Sequence, residues 1–255
     1  MTESMLLDTY LKQLRLPALL QHYRPVAEDA TRHQLAYDRF LLALAEQEVA
    51  QREKNLQTRC IKAAHFPSLK ELADFDFTRL SSPAKTTVLD LAHGHYLLKA
   101  EPILLVGNPG LGKTHVATGL ALAACRQGRR VRFFNAAGLV NELLVLQDKH
   151  QLPRFLTALL KQQLVVIDEL GFIPFSPAGA QLIFQVCSSL YERVALILTT
   201  NLRFADWTQV FGEERLTAAL LDRLTDRAHI LEFVGESYRF RQRTRATTTK
   251  KKEGR

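Results

Sequence analysis

The residues with the most specific chemistry are Gly107-Asn108-Pro109-Gly110-Leu111-Gly112-Lys113-Thr114. They match GxxxxGK followed by Ser or Thr, after a predicted strand at 103–106 and before a predicted helix at 116–126. Glycines let the backbone wrap a phosphate chain, so that successive N–H groups point inward. The helix that follows adds the partial positive charge of its N-terminus. Lys113 can reach the outer phosphates as a point charge, and the Thr114 hydroxyl can bind Mg²⁺. His115 follows directly and is grouped with the nucleotide cradle, where packing suits it better than catalysis.

Three further elements fall in order along the chain. Leu164-Val165-Val166-Ile167 reads as a buried strand that ends in Asp168-Glu169. Ligands of open α/β sheets bind at that strand edge. Asp168 would hold the Mg²⁺, and Glu169 would orient or deprotonate an attacking water. Such an acidic pair is common after a strand and gains weight from the preceding phosphate loop. Thr199-Thr200-Asn201 ends a fourth strand. Asn201, with Thr200 next, can sense the terminal phosphate, although Asn and Thr also suit an ordinary strand-end turn. Arg223 lies in Ala218-Ala219-Leu220-Leu221-Asp222-Arg223-Leu224. An arginine supplied by a neighbouring subunit can stabilise transition-state charge. A helix-surface ion pair with Asp222, Asp226 or a neighbour of Arg227 is the alternative that the sequence leaves open.

The elements that must position these groups alternate. Strands are expected at 103–106, 131–135, 164–167, 195–199 and 230–234. Helices are expected at 116–126, 139–146, 153–161, 182–192 and 215–227. Continuous apolar strand runs are the mark of strands buried on both faces. Alternation with helices predicts an α/β fold, a five-stranded parallel sheet flanked by helices. Residues 1–66 read as two or three helices, with Pro17, Pro25 and Pro67 as boundaries or kinks. Residues 67–85 read as a connector that docks Phe75 and Phe77 onto the next domain. The expected division is a small all-helical domain at 1–70 for DNA or a partner, an ATPase domain at 71–240 and a basic, disordered tail at 241–255.

Charge and composition narrow the class. The chain has 255 residues and a net charge of +8, and residues 235–255 alone carry eight Lys/Arg against two Asp/Glu. A basic tail suits polyanions, because each cation placed on a phosphate releases a counterion; a solvated tail is the alternative. On the last N-terminal helix, Arg52, Asn55, Arg59 and Lys62 share one stripe. Arg52, Arg59 and Lys62 are the candidate DNA contacts, and a solvated face aided by Glu48–Arg52 is the alternative. Cys60, Cys125 and Cys187 are odd in number and far apart, which speaks against a zinc site or a disulfide framework. No apolar run is long enough for a membrane span, and no signal peptide is evident. A cytoplasmic location without a membrane partner is the expectation.

In this order the four elements resemble those of AAA+ ATPases. Residues 107–115 (GNPGLGKTH), 167–174 (IDELGFIP), 198–201 (LTTN), 220–227 (LLDRLTDR) and 235–239 (GESYR) are similar to IstB-like transposition helper proteins, which are related to DnaC helicase loaders. The stretch 52–67 (REKNLQTRCIKAAHFP) fits as well. The resemblance implies an ATPase that uses ATP and Mg²⁺. It also implies binding to duplex DNA, homo-oligomerisation with ATP between subunits, and assistance to a transposase in target selection and insertion. It implies that Arg223 acts on a neighbour's nucleotide and that the C-terminal helical lid is absent. Arg239 could reach nucleotide or DNA. The alternative is a DnaC-like replicative helicase loader. A small-molecule P-loop kinase ranks below both, because the chain offers no obvious lid arginines between the third and fourth strands.

Overall fold

The computed structural model describes residues 3–235. Ser237, Tyr238, Arg239 and the basic tail lie outside the described residues. The chain forms two compact units, one up to Arg59 and one from Cys60 onward. The expected boundary was near residue 70. The last turn of a long helix brings Cys60 and Ala64 into the core of the second unit.

The first unit is helical, as expected: α1 (Glu3–Gln13), α2 (Pro17–Arg32) and α3 (Tyr37–Ala64, whose last turn belongs to the second unit). Pro17 starts α2, but Pro25 lies inside it without ending it. The helix forgoes only the bond that the missing N–H would have made. Leu16 at the N-cap of α2 gives no side-chain bond. The buried Glu48 of α3 replaces it: its Oε2 accepts from Ala18 N at 2.9 Å and Leu19 N at 3.3 Å. Burial pushes the Glu48 carboxyl up, but the Arg52 hydrogen bond and the two backbone N–H groups together bring it below its ordinary value.

After two 3-10 turns at Leu72–Asp74 and Phe77–Arg79, the second unit runs α4 (Ser82–Ala92), α5 (His95–Lys99), β1 (Ile103–Gly107) and α6 (Lys113–Arg126). Next come β2 (Val131–Asn135), α7 (Ala136–Asp148), α8 (Leu152–Leu159), β3 (Leu164–Leu170) and α9 (Pro177–Leu190). β4 (Ala195–Thr200), α10 (Thr208–Phe211), α11 (Glu214–Thr225) and β5 (His229–Phe233) complete it. α4 and α5 were not anticipated. The signals for α4 were local: Ser81 accepts from Ala84 N, Pro83 stands in the first turn, and Val88 and Leu91 are buried.

The five strands are parallel, in the order β2-β3-β4-β1-β5. Alternate residues feed two cores. Ile103, Leu105, Val166, Ile197 and Phe233 face the layer that holds α4 and α6. Leu104, Val165, Ile167, Leu196 and Leu198 face α7, α9 and α11. Burial on both faces explains why the strands show apolar runs without alternation. From β1 the chain crosses to β2 beyond β4 and β3. That reversal opens a crevice at the C-terminal ends of β1, β3 and β4, where the loops carry the candidate site.

Candidate nucleotide site

The candidate phosphate loop leaves β1 at Gly107 and enters α6 at Lys113. Two glycines are dictated by space as well as by angle. Gly107 has φ 148°, and a Cβ there would stand 2.2 Å from the Phe233 carbonyl oxygen. Gly112 has φ 99°, and its Cβ would meet the Phe75 ring at 2.5 Å. Lys113 is 9% exposed. Its Nζ donates to the carbonyls of Gly107 at 2.6 Å and Asn108 at 2.9 Å. The cation is therefore held at the loop it would share with a phosphate. Burial lowers the Lys113 pKa, against the pull of Asp168 and Glu169.

β3 delivers both acids. Its pairing with β4 shifts register between Ile167 and Leu170, and Glu169 sits at φ 61°. The bulge re-aims one side chain: Asp168 is 5% exposed, whereas Glu169 is exposed. A left-handed non-glycine residue costs about 1–3 kcal/mol and persists only where its surroundings hold it. Here the Glu169 N–H donates to Thr199 Oγ1 at 2.8 Å. Thr199 Oγ1 in turn donates to Asp168 Oδ1 at 2.6 Å, and Thr114 Oγ1 donates to the same oxygen at 3.0 Å. Burial raises the Asp168 pKa; the Thr199 and Thr114 hydrogen bonds oppose that shift, Glu169 adds to it and Lys113 opposes it.

Lys113, Thr114, Glu169 and Thr199 line a cleft of about 510 Å³ with Pro109, Gly110, Leu111, Asn201 and the connector residues Lys70, Asp74 and Phe75, and Asp168 is bonded to two of these lining residues, Thr114 and Thr199. Asn201 is half-buried, and its Oδ1 is buried with no hydrogen-bond partner among the described residues. His115 lines the cleft and also packs: its Nε2 bonds the Glu71 carbonyl at 2.7 Å, and its ring meets Phe75 edge-on at 5.3 Å. The donor set fits a Mg-nucleotide. The Thr114 hydroxyl donates to a carboxylate oxygen of Asp168, a buried ammonium has only carbonyls as hydrogen-bond partners, and an orphaned amide oxygen lies in the cleft wall.

Sequence reasoning missed Asn135. It ends β2 and caps α7 through its Oδ1, while its Nδ2 donates to Glu169 Oε2 at 2.9 Å. Its place at the C-terminal edge of the strand beside β3 was the available signal. Phe75 was expected to dock; that it walls the cleft against Gly112 was not.

Arg223 is not brought to this cleft. Together with Pro102, Val194 and Leu224 it lines a separate, water-sized cavity of about 30 Å³ at the N-terminal edge of the sheet. Its guanidinium lies 4.9 Å from the Phe184 ring centroid, and its Nη1 is buried with no partner among the described residues. The open alternative, an ion pair with Asp222, Asp226 or a neighbour of Arg227, does not form among the described residues.

On α3, Arg52, Arg59 and Lys62 are exposed. Arg52 is committed within its own unit, its Nε to Glu48 Oε1 at 2.8 Å and its Nη2 to the Arg15 carbonyl at 2.9 Å. Cys60, Cys125 and Cys187 are free and buried, and no metal-binding cluster of His, Cys, Asp or Glu occurs among the described residues. No helix among the described residues is long and apolar enough to cross a membrane.

Residues 9–246 match the IstB-like ATP binding protein family. The chain belongs to that family. An ATP-binding protein of insertion sequence IS5376 from Geobacillus stearothermophilus is 33% identical over 234 residues, 92% of this chain and 93% of that protein. Among solved structures, the replication initiator DnaA bound to AMPPCP and single-stranded DNA gives a TM-score of 0.55 at 18% identity, over 65% of this chain and 50% of that one. The DnaC helicase loader gives 0.50 at 23% identity, over 68% and 98%. At those identities the likeness concerns the fold, and the fold is that of an AAA+ domain. This IstB-like chain thus belongs to a family of ATP-binding proteins with relatives in insertion sequences, and 107–114 is its candidate phosphate loop.

Proposed function

We propose that this protein is an ATPase that oligomerises on duplex DNA and assists the transposase of its insertion sequence in target selection and insertion. The observation that supports it most is the split between a phosphate, metal and acid cluster in one cleft and an arginine held apart from it. Such a site is complete only when another subunit supplies the cation.

In this reading the phosphate loop binds the nucleotide, and Lys113 turns from the loop carbonyls to the outer phosphate oxygens. Thr114 and Asp168 would hold Mg²⁺, which would neutralise charge on the phosphates. Glu169 accepts a proton from the attacking water at a carboxylate oxygen. Asn135 occupies Glu169 Oε2 until that carboxylate engages the water. Asn201 fixes the water or the terminal phosphate through its amide. Arg223 of an adjoining subunit stabilises the charge that develops in the transition state. ATP then acts as a signal for assembly on DNA. Arg59 and Lys62 are the DNA contacts best placed on α3, and Arg52 plays a lesser part because Glu48 holds it.

The test is binding to duplex DNA by gel shift with and without ATP, alongside ATP turnover. ATP-dependent duplex binding with turnover is expected. No DNA binding at low salt sinks the reading. Preference for single-stranded DNA with capture of a hexameric helicase would replace it by the loader role.

A further inference from the structure

The open edge of the sheet carries a group of cations that the nucleotide site does not use. β2 is an edge strand, paired only to β3. Arg126 ends α6, Arg129 and Arg130 lead into β2, Arg132 lies on it, and Lys161 follows α8. No Asp or Glu occurs at 102–141 or at 149–167, so these segments bring no acid of their own.

Hydrogen bonds draw the group together. Arg130 donates from Nε to the Lys161 carbonyl at 2.7 Å and from its backbone N–H to Gln163 Oε1 at 2.9 Å. Arg132 reaches the Ala63 carbonyl at 3.4 Å, next to Lys62, and its guanidinium covers the Phe134 ring at 5.2 Å. Arg126 pairs with Glu71. Arg129, Arg130, Arg132, Lys161 and Lys62 make no ion pair among the described residues. A guanidinium anchored on a carbonyl keeps its full charge and gives up little further freedom when it meets an anion.

We infer that this edge is a second contact for the phosphate backbone of duplex DNA, built into the ATPase unit; it rests on the DNA-binding function proposed above. An edge strand needs some charge to deter pairing with other edges. Arg132 on the strand and Arg130 directly before it suffice for that, whereas Arg126, Arg129 and Lys161 lie farther off. Arg132 covers Phe134, which is buried, so no aromatic ring of this strand is offered for base stacking. The chemistry therefore suits a duplex backbone better than unstacked single strands.

The experiment uses the full chain with Arg129→Gln, Arg130→Gln and Lys161→Gln combined. Its affinity for a fluorescent duplex of mixed sequence is followed as salt rises from about 50 to 200 mM. The variant should bind about 10–100-fold more weakly, and the slope of log K against log salt should fall by about 2–3, since each lost phosphate contact removes ~0.9. ATP affinity and melting temperature should match the parent protein, and Arg193→Gln should bind DNA normally. Arg130→Lys alone should stay close to the parent, because it keeps the charge and loses the carbonyl tether. If the parent binds duplex DNA and the triple variant keeps its slope, the edge does not touch DNA. Equal losses in Arg130→Lys and Arg130→Gln would assign Arg130 to structure instead. A parent that binds no duplex DNA overturns the function proposed above and this inference with it.

Discussion

The two ends of the sheet differ in how well the chain satisfies its own polar groups. At the C-terminal end, Thr114, Asp168, Thr199, Glu169 and Asn135 form one bonded set with distances of 2.6 to 3.0 Å, and Lys113 is held on the loop carbonyls of Gly107 and Asn108. At the N-terminal end, Arg223 has a ring beneath it and a buried nitrogen without a partner among the described residues. A buried unpaired donor costs about 1–3 kcal/mol. The chain thus bonds most of its anion-binding half internally, with Asn201 Oδ1 the exception, and leaves Nη1 of Arg223 unsatisfied among the described residues. Such a division suits a reaction completed between subunits.

The comparison can be broken at either end. Arg223→Ala should lower ATP turnover of the assembled protein about 10³-fold, measured by phosphate release, with ATP affinity changed less than about threefold. An equal loss of affinity would place Arg223 in ground-state binding. Glu169→Gln should lower turnover about 10²–10³-fold and leave ATP affinity intact. Normal turnover would remove Glu169 as the base. Phe184→Leu keeps the apolar bulk and removes the ring face, so turnover should fall about 3–10-fold with an unchanged KM for ATP. Phe184→Tyr should restore it, and failure to do so would reduce Phe184 to packing.

The smallest effect concerns stability. Burial raises the Asp168 pKa, so between its ordinary and raised values the folded protein holds a proton that the unfolded chain has lost. Stability falls as pH rises through that window, and the cost persists above it. Asp168→Asn, which can still accept from Thr114 and Thr199, should therefore raise the melting temperature of the nucleotide-free protein at neutral pH. The gain should vanish below about pH 4, where the parent carboxyl is protonated in both states. A lower melting temperature at neutral pH would mean that the two hydroxyl bonds outweigh burial.

What the sequence made legible is what it encodes locally. The phosphate loop is eight consecutive residues, and the strands carry their two-sided burial as unbroken apolar runs. The groups that were missed depend on distant partners. Asn135 reads as a helix cap until β2 is laid beside β3, 34 residues away. Phe75 became a wall of the cleft only where Gly112 leaves room for its ring. The left-handed Glu169 follows from a bulge that depends on the register of β3 against β4. Arg52 showed its i,i+4 acid in sequence, but not the carbonyl of Arg15, which lies 37 residues away.

Completion of the site by a second subunit is tested most directly by mixing two inactive proteins. Lys113→Ala chains are expected to lose nucleotide binding but retain Arg223. Arg223→Ala chains hold nucleotide but lack the cation. Mixed on duplex DNA with ATP, they should recover a measurable part of the parent turnover, because some interfaces join a working pocket to an intact arginine. Turnover no greater than the sum of the two separate proteins would contradict a trans role for Arg223.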